Sequence, residues 1–198
     1  TLRCSIAANI AARKGMVPVI SAGNSGEGEW HYISAPGDAI DVLTVGAVGD
    51  VENHAPFSSY GPSFAGRVKP DVCAMGWGTQ VLNVGQDSVV AANGTSFAAP
   101  VLAGAVACLW QLHPSRTAQE IMNAVRRSAS FFSHPNDSLG YGVPDLAAAS
   151  AWLSLTTIHA KGETIASMLV FPSPFVEQLS IRSPHLLPGS AHVALFDL

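Results

Sequence analysis

Apolar residues recur at helical spacing through the first turns of the chain, with Leu2, Ile6, Ile10 and Ala11 on one stripe and Gly15 as a stop. The spacing predicts an amphipathic helix over 2–14, the chain beginning near its start or inside it. Val17-Pro18-Val19-Ile20 is a short apolar run closed by Gly23 and Gly26, and Val42–Val48 (VLTVGAV) is a second. Such runs after a helix predict strands of a mostly parallel sheet buried on both faces. Asp71–Ala74 and Gln80–Val84 are shorter strand candidates between Gly-rich turns.

From Ser96 to about Leu112 nearly every residue is small or apolar, including Ala98, Ala99, Ala103, Gly104, Ala105 and Ala107. No polar face is visible, so a helix buried all round is expected. Thr117-Ala118-Gln119-Glu120 is a capping box that starts another helix, with Ile121, Met122 and Val125 inward and Arg126-Arg127 near its end, where the helix dipole favours cations. Pro144-Asp145 opens a third, running to about Leu153. Helices alternating with apolar strands predict an α/β layer structure.

Past Thr156 the helical period is lost. Pro172, Pro174, Pro184 and Pro188 punctuate short runs such as Gln178–Arg182 and His192–Phe196, the pattern of antiparallel strands. The expected organisation is an α/β domain over 1–155, a linker over 156–165 and a partial antiparallel β-sandwich module over 166–198, too short to be stable alone. Both ends read as cut, the chain being a fragment of a longer protein.

Composition narrows the function classes. Hydrophobic residues are 48% and charged residues 12% of the 198, a balance that needs a buried core and excludes a disordered chain. Ten Lys and Arg against 14 Asp and Glu leave a formal charge of −4 and no basic cluster, so nucleic acid is not an expected partner. The longest apolar run, Phe97–Trp110, falls short of the ~20 residues a bilayer requires, and no transmembrane segment is expected. Cys4, Cys73 and Cys108 form no CxxC pair and sit among apolar neighbours, which predicts buried free thiols.

Candidate chemistry lies in two segments. In Asn93-Gly94-Thr95-Ser96-Phe97-Ala98-Ala99-Pro100 a serine opens an apolar helix, where free amides and the positive dipole end converge. That placement suits a nucleophile whose attack creates an oxyanion, although a plain helix cap has the same look. In Ser21-Ala22-Gly23-Asn24-Ser25-Gly26 an apolar strand delivers Asn24 into a glycine-flanked turn. Its neutral amide offers two donors, fit for an oxyanion contact, although turn asparagines are common.

Together these segments resemble the C-terminal half of a subtilisin-like serine peptidase (subtilase) catalytic domain. Gly94-Thr95-Ser96-Phe97-Ala98-Ala99-Pro100 satisfies every fixed position of the family pattern Gly-Thr-Ser-x-Ala-x-Pro, and Phe57–Gly61, Lys69–Val72 and Gly140–Gly142 are similar to further family segments. The resemblance covers about 1–153. It implies hydrolysis of peptide bonds in proteins through an acyl-enzyme on Ser96, with the Ser96 amide and the Asn24 side chain as oxyanion donors. It further implies that Ala22 and Gly23 wall the subsite for the residue before the scissile bond. No cofactor or metal is required by that chemistry.

The family's Asp and His motifs precede the segment around Asn24, and neither occurs here. His31, His54, His113, His134, His159, His185 and His192 lie in none of the family contexts, so the chain alone is expected to be inactive. Asp50, Glu52 and Asn53 are the oxygen ligands calcium takes, and family members often carry structural calcium; a solvated turn is the preferred reading. Phe171–Ile181, with Phe-Pro-Ser-Pro-Phe, is similar to the opening of the C-terminal sorting domain of type IX secretion substrates, and Val193–Leu198 to its next strand. That likeness implies a secretion-machinery partner and a secreted or cell-surface bacterial protein exported across the outer membrane. The alternatives are a catalytically dead subtilase fold serving as a secreted binding or surface module, and a β-rich structural surface protein.

Overall fold

The computed structural model describes residues 2–83 and 85–155. The expected linker over 156–165 and sandwich module over 166–198 lie outside them. The elements are α1 (Arg3–Arg13), β1 (Val19–Ser21), β2 (Leu43–Val48), β3 (Val72–Met75), β4 (Thr79–Leu82), β5 (Val89–Ala92), α2 (Thr95–Leu112), α3 (Ala118–Arg127) and α4 (Leu146–Leu155). Strands β1, β2 and β3 form a parallel sheet in that order, Val19 opposite Leu43 and Val45 opposite Val72. All six residues of the central strand β2 are buried, as its unbroken apolar run requires. The α/β expectation holds. The ribbon β4–β5 is antiparallel, and β5, largely exposed and without alternation, left no strand signal in the sequence.

The core joins β2 and β3 to one face of α2 (Ala98, Leu102, Val106, Leu109), to Ile121, Met122 and Val125 of α3, and to Ala149 and Leu153 of α4. The α3 capping box is present: Thr117 Oγ1 accepts from the Glu120 amide and the Glu120 carboxylate accepts from the Thr117 amide. Partial burial pushes the Glu120 carboxyl up, but hydrogen bonds from Thr117 and Arg116 and the Arg116 charge together hold it below its usual value. Asp145 stands one step outside α4 and caps it, its Oδ1 accepting from the amides of Ala147 and Ala148.

Three expectations are corrected. Helix α2 is not buried all round: Ser96, Pro100, Val101, Gly104, Ala107, Cys108, Gln111 and Leu112 form an exposed face, because the sheet covers one side only. With 18 residues it is long and apolar enough to cross a bilayer by length and composition, yet its inner face packs against all three parallel strands. Helix α1 turns the other way from its apolar stripe. Leu2, Ile6 and Ile10 are exposed, while Ser5 Oγ donates to Asp38 (2.5 Å), Asn9 Oδ1 accepts from the amides of Ile40 and Asp41 (2.9 Å each) and Arg13 pairs with Asp41 (3.2 Å). Polar side chains at four-residue spacing fix this helix to the 38–41 loop, and specific hydrogen bonds override the stripe. Of the cysteines only Cys73 is buried; Cys4 and Cys108 lie on these exposed helix faces.

At the amino ends of the strands a buried ionic cluster ties sheet to helix. Asp71, 5% exposed, accepts from Lys69 Nζ (2.5 Å), the Thr44 amide (2.8 Å) and Arg126 Nε (2.8 Å). Arg126 also donates to the Val42 carbonyl, joining α3 to β2. Burial pulls the Lys69 ammonium below the usual lysine value, against the upward pull of Asp71. Removing one partner of such a cluster strands the remaining charges without solvent. Asp71→Asn is therefore expected to cost about 3–5 kcal/mol, read as a lowered urea midpoint.

Burial also pushes the Cys73 thiol up to about 12. A thiol reagent at pH 8 is expected to modify Cys4 and Cys108 in the native chain and Cys73 only after denaturation, checked by peptide mapping.

Candidate active site

Parallel α/β sheets present ligand-binding loops at the carboxyl ends of their strands. Here β1 ends at Ser21 and runs into Ala22-Gly23-Asn24, while the ribbon β4–β5 returns the chain through Asn93-Gly94 to the start of α2. The two segments meet. Asn24 Oδ1 accepts from both the Thr95 amide and the Thr95 hydroxyl, each at 2.9 Å, and Thr95 Oγ1 accepts from the Gly23 amide at 3.2 Å. Thr95 is fully buried; Asn24 and Ser96 are exposed beside it.

The Thr95 donors decide which way the Asn24 carboxamide points. With Oδ1 occupied, Nδ2 keeps its two hydrogens for something else, and it lies toward Gly94. A Cβ at Gly94 would sit 3.5 Å from that nitrogen, on a backbone at φ +153° that side chains rarely adopt. Glycine takes that backbone conformation without strain and keeps a Cβ out of contact with the amide nitrogen. Gly94 is fixed by its own amide, which donates to the Gly76 carbonyl (2.8 Å), and Gly76 in turn donates to Val48 at the end of β2. Ser96 is the second residue of α2, so its amide belongs to the first-turn group without an intrahelical acceptor. Asn24 thus bonds Thr95, the residue before Ser96, in the first turn of α2. A neutral two-proton donor, a helix-start amide and a serine hydroxyl are the kinds of group that stabilise a tetrahedral oxyanion when they converge.

The Asn24 loop is zipped to a second loop. The Ser59 amide donates to the Gly23 carbonyl (2.9 Å), the Ser25 amide to Ser59 Oγ (3.0 Å) and the Gly26 amide to the Phe57 carbonyl (2.9 Å). Ser58 is buried, and its hydroxyl accepts from the Ala47 amide of β2 (3.0 Å). Ala22 is buried, its amide bonded to the Val45 carbonyl, and Gly23 has φ +107° with Ser59 Oγ 2.9 Å from where a Cβ would stand. The Phe57–Gly61 segment thus holds the site from behind. Asp71 and the 140–142 turn meet further back, where the Tyr141 amide donates to the Asp71 carbonyl.

Three of the four described histidines have other hydrogen-bond partners. His113 caps α2 at its far end and bonds Ser150 Oγ (2.8 Å). His31 bonds the Gly26 carbonyl, and His54 bonds the Tyr60 hydroxyl while burial holds its imidazole below the usual histidine value. Asp50, Glu52 and Asn53 are exposed in a tight turn after β2, and no group of residues suited to hold a metal ion occurs among the described residues. Thr95 was not singled out from the sequence as a site residue. Its only signal was its place beside Ser96, because its role depends on a residue 71 positions away.

Three parallel strands packed against α2, with Asn24 bonded to Thr95 in the first turn of that helix, define an α/β layer fold. A family model described as the Subtilase family matches residues 2–142, and the chain belongs to that family. It is similar to Subtilisin Savinase of Lederbergia lenta, 34% identical over 130 residues that span 66% of this chain and 45% of that protein. It is also similar to Mycosin-1 of Mycolicibacterium smegmatis, 32% identical over 168 residues spanning 70% of this chain and 36% of that protein. Among solved structures, proteases from Pseudoalteromonas arctica align at TM-score 0.60 and 30% identity over 75% of this chain and 46% of theirs. The self-cleaved protease domain of PatA aligns at 0.62 and 22% identity over 76% and 54%, a likeness of fold. The chain spans less than half the length of the curated relatives it matches.

Thr95→Val keeps the side-chain volume and removes the hydroxyl that bridges Gly23 to Asn24. It is expected to cost about 1–3 kcal/mol and to accelerate amide exchange at Gly23 while α3 is unchanged, measured by chemical denaturation and hydrogen exchange.

Proposed function

We propose that this chain is the nucleophile-bearing half of a subtilisin-like serine endopeptidase. Ser96 attacks the carbonyl of a peptide bond in a protein substrate, and the Ser96 amide and Asn24 Nδ2 take the tetrahedral oxyanion. Collapse expels the amine and leaves an acyl-enzyme on Ser96, which water then cleaves to a carboxylate and free serine. Ala22, through its main chain, and Gly23 wall the subsite for the residue before the scissile bond. The observation that carries this reading is the double hydrogen bond from Thr95, the residue before Ser96, to Asn24 Oδ1, which leaves the Asn24 N–H pair free to donate elsewhere.

The reaction also needs a histidine base and a carboxylate to orient it. We assign both to the part of the relatives' length that this chain does not span, which makes the isolated chain inactive. Family membership and the engaged state of His31, His54 and His113 support that assignment. Export rests on sequence pattern alone: Phe171–Ile181 and Val193–Leu198, outside the described residues, support a sorting module, a secretion-machinery partner and a secreted or cell-surface destination.

A fluorophosphonate probe tests the reading in two settings. The 198-residue chain is expected to stay unlabelled, and stoichiometric labelling at Ser96 overturns its inactivity. In a complete parent enzyme Ser96→Ala is expected to abolish labelling and turnover. Asn24→Ala is expected to lower kcat about 10²–10³-fold with little change in KM, a size carried over from a subtilisin oxyanion donor. A parent that ignores both substitutions favours a binding module instead.

A further inference from the structure

His31 occupies a backbone conformation that histidine rarely takes, with φ +61°. Such conformations persist where surrounding contacts enforce them, and here the contacts are specific. His31 Nδ1 lies 2.6 Å from the Gly26 carbonyl oxygen. A carbonyl only accepts, so Nδ1 carries the proton and donates it. The imidazole also stacks on Tyr60, centroids 4.2 Å apart and planes within 12°. Tyr60 is itself fixed, its hydroxyl 3.2 Å from His54 Nδ1 and its ring against that of His54 at 4.4 Å.

The main chain repeats the same connection. The Tyr60 amide donates to the His31 carbonyl (3.1 Å), and the Ile33 amide donates to the Tyr60 carbonyl (2.9 Å). Gly26 is therefore held at both of its polar groups, its amide by Phe57 and its carbonyl by His31. Between Gly26 and the end of β1 lie only Ala22, Gly23, Asn24 and Ser25. Whatever fixes Gly26 limits the arc through which Asn24 can move.

We propose that His31 is a positioning residue for Asn24: its bond to the Gly26 carbonyl and its stack on Tyr60 hold the 23–26 loop so that the Asn24 carboxamide stays engaged with Thr95. The catalytic meaning of this hold rests on the reading of Asn24 as an oxyanion donor. The hold itself does not.

The test is NMR on the isotopically labelled 198-residue chain, wild type against His31→Gly, His31→Asn and Tyr60→Leu. Glycine relieves the backbone strain while deleting both contacts. Asparagine tolerates positive φ and restores an N–H donor. Expected for His31→Gly is a tenfold or greater rise in amide exchange at residues 23–26, loss of the cross-peak between the Asn24 side-chain amide and Gly94, and α3 amides within twofold of wild type. His31→Asn is expected to recover at least half of the lost protection on a logarithmic scale. Tyr60→Leu should loosen the same loop, and it supplies the measurement if His31→Gly does not fold. Unchanged exchange at 23–26, a uniform rise that includes α3, or no recovery in His31→Asn would each overturn the proposal. The Asn24→Ala turnover assay addresses the oxyanion reading separately, so a null result there leaves the His31 outcome standing.

Discussion

The candidate site depends on one contact, the pair of hydrogen bonds from Thr95 to the Asn24 carbonyl oxygen. An asparagine amide turns over with little change of shape, so its donor and acceptor ends are told apart only by what surrounds them. Thr95 supplies two donors at the same place, and that occupancy sends the Asn24 N–H pair toward Gly94. The same contact joins the loop after β1 to the first turn of α2. Geometry at the serine and geometry at the asparagine are therefore not independent.

Support for that contact comes in layers. The loop carrying Asn24 is stitched to residues 57–60 by main-chain and serine hydroxyl bonds, and His31 with Tyr60 closes its far end. Ser58, buried behind them, ties this second loop to β2. At the opposite end of the sheet the Asp71 cluster fixes β2, β3 and α3 relative to one another. Charges sit where the sheet is anchored, and neutral donors sit where the chemistry is assigned. That division suits a group that must receive a transient negative oxygen without pairing permanently with an ion.

The chain belongs to the subtilase family and spans less than half the length of the curated relatives it matches, and both α1 and α2 carry exposed faces. Ser96, to which the proposed chemistry is assigned, is the second residue of α2, and Asn24 bonds the residue before it. On the proposed reading the proton-handling groups lie elsewhere, which would make the geometry for binding an oxyanion separable from the chemistry for generating one.

The order of helices and strands, β5 apart, was legible from the chain, because β2, α2 and α3 follow period, caps and composition that act over a few residues. Ser96 and Asn24 stood out as short patterns of candidate chemistry, and the fold joins their two segments through Thr95. The facing of α1 was not, since Ser5, Asn9 and Arg13 find partners around residues 38–41 that no local pattern announces. Nor was the exposure of half of α2, because its composition is apolar on every side and only the number of packed layers decides which side stays wet. Thr95 as the orienting group, Asp71 as a shared ion and His31 as a loop clamp all rest on partners distant in sequence. Local sequence determines which elements form; long-range hydrogen bonding, available only once the chain is packed, decided which side chains those elements point at one another.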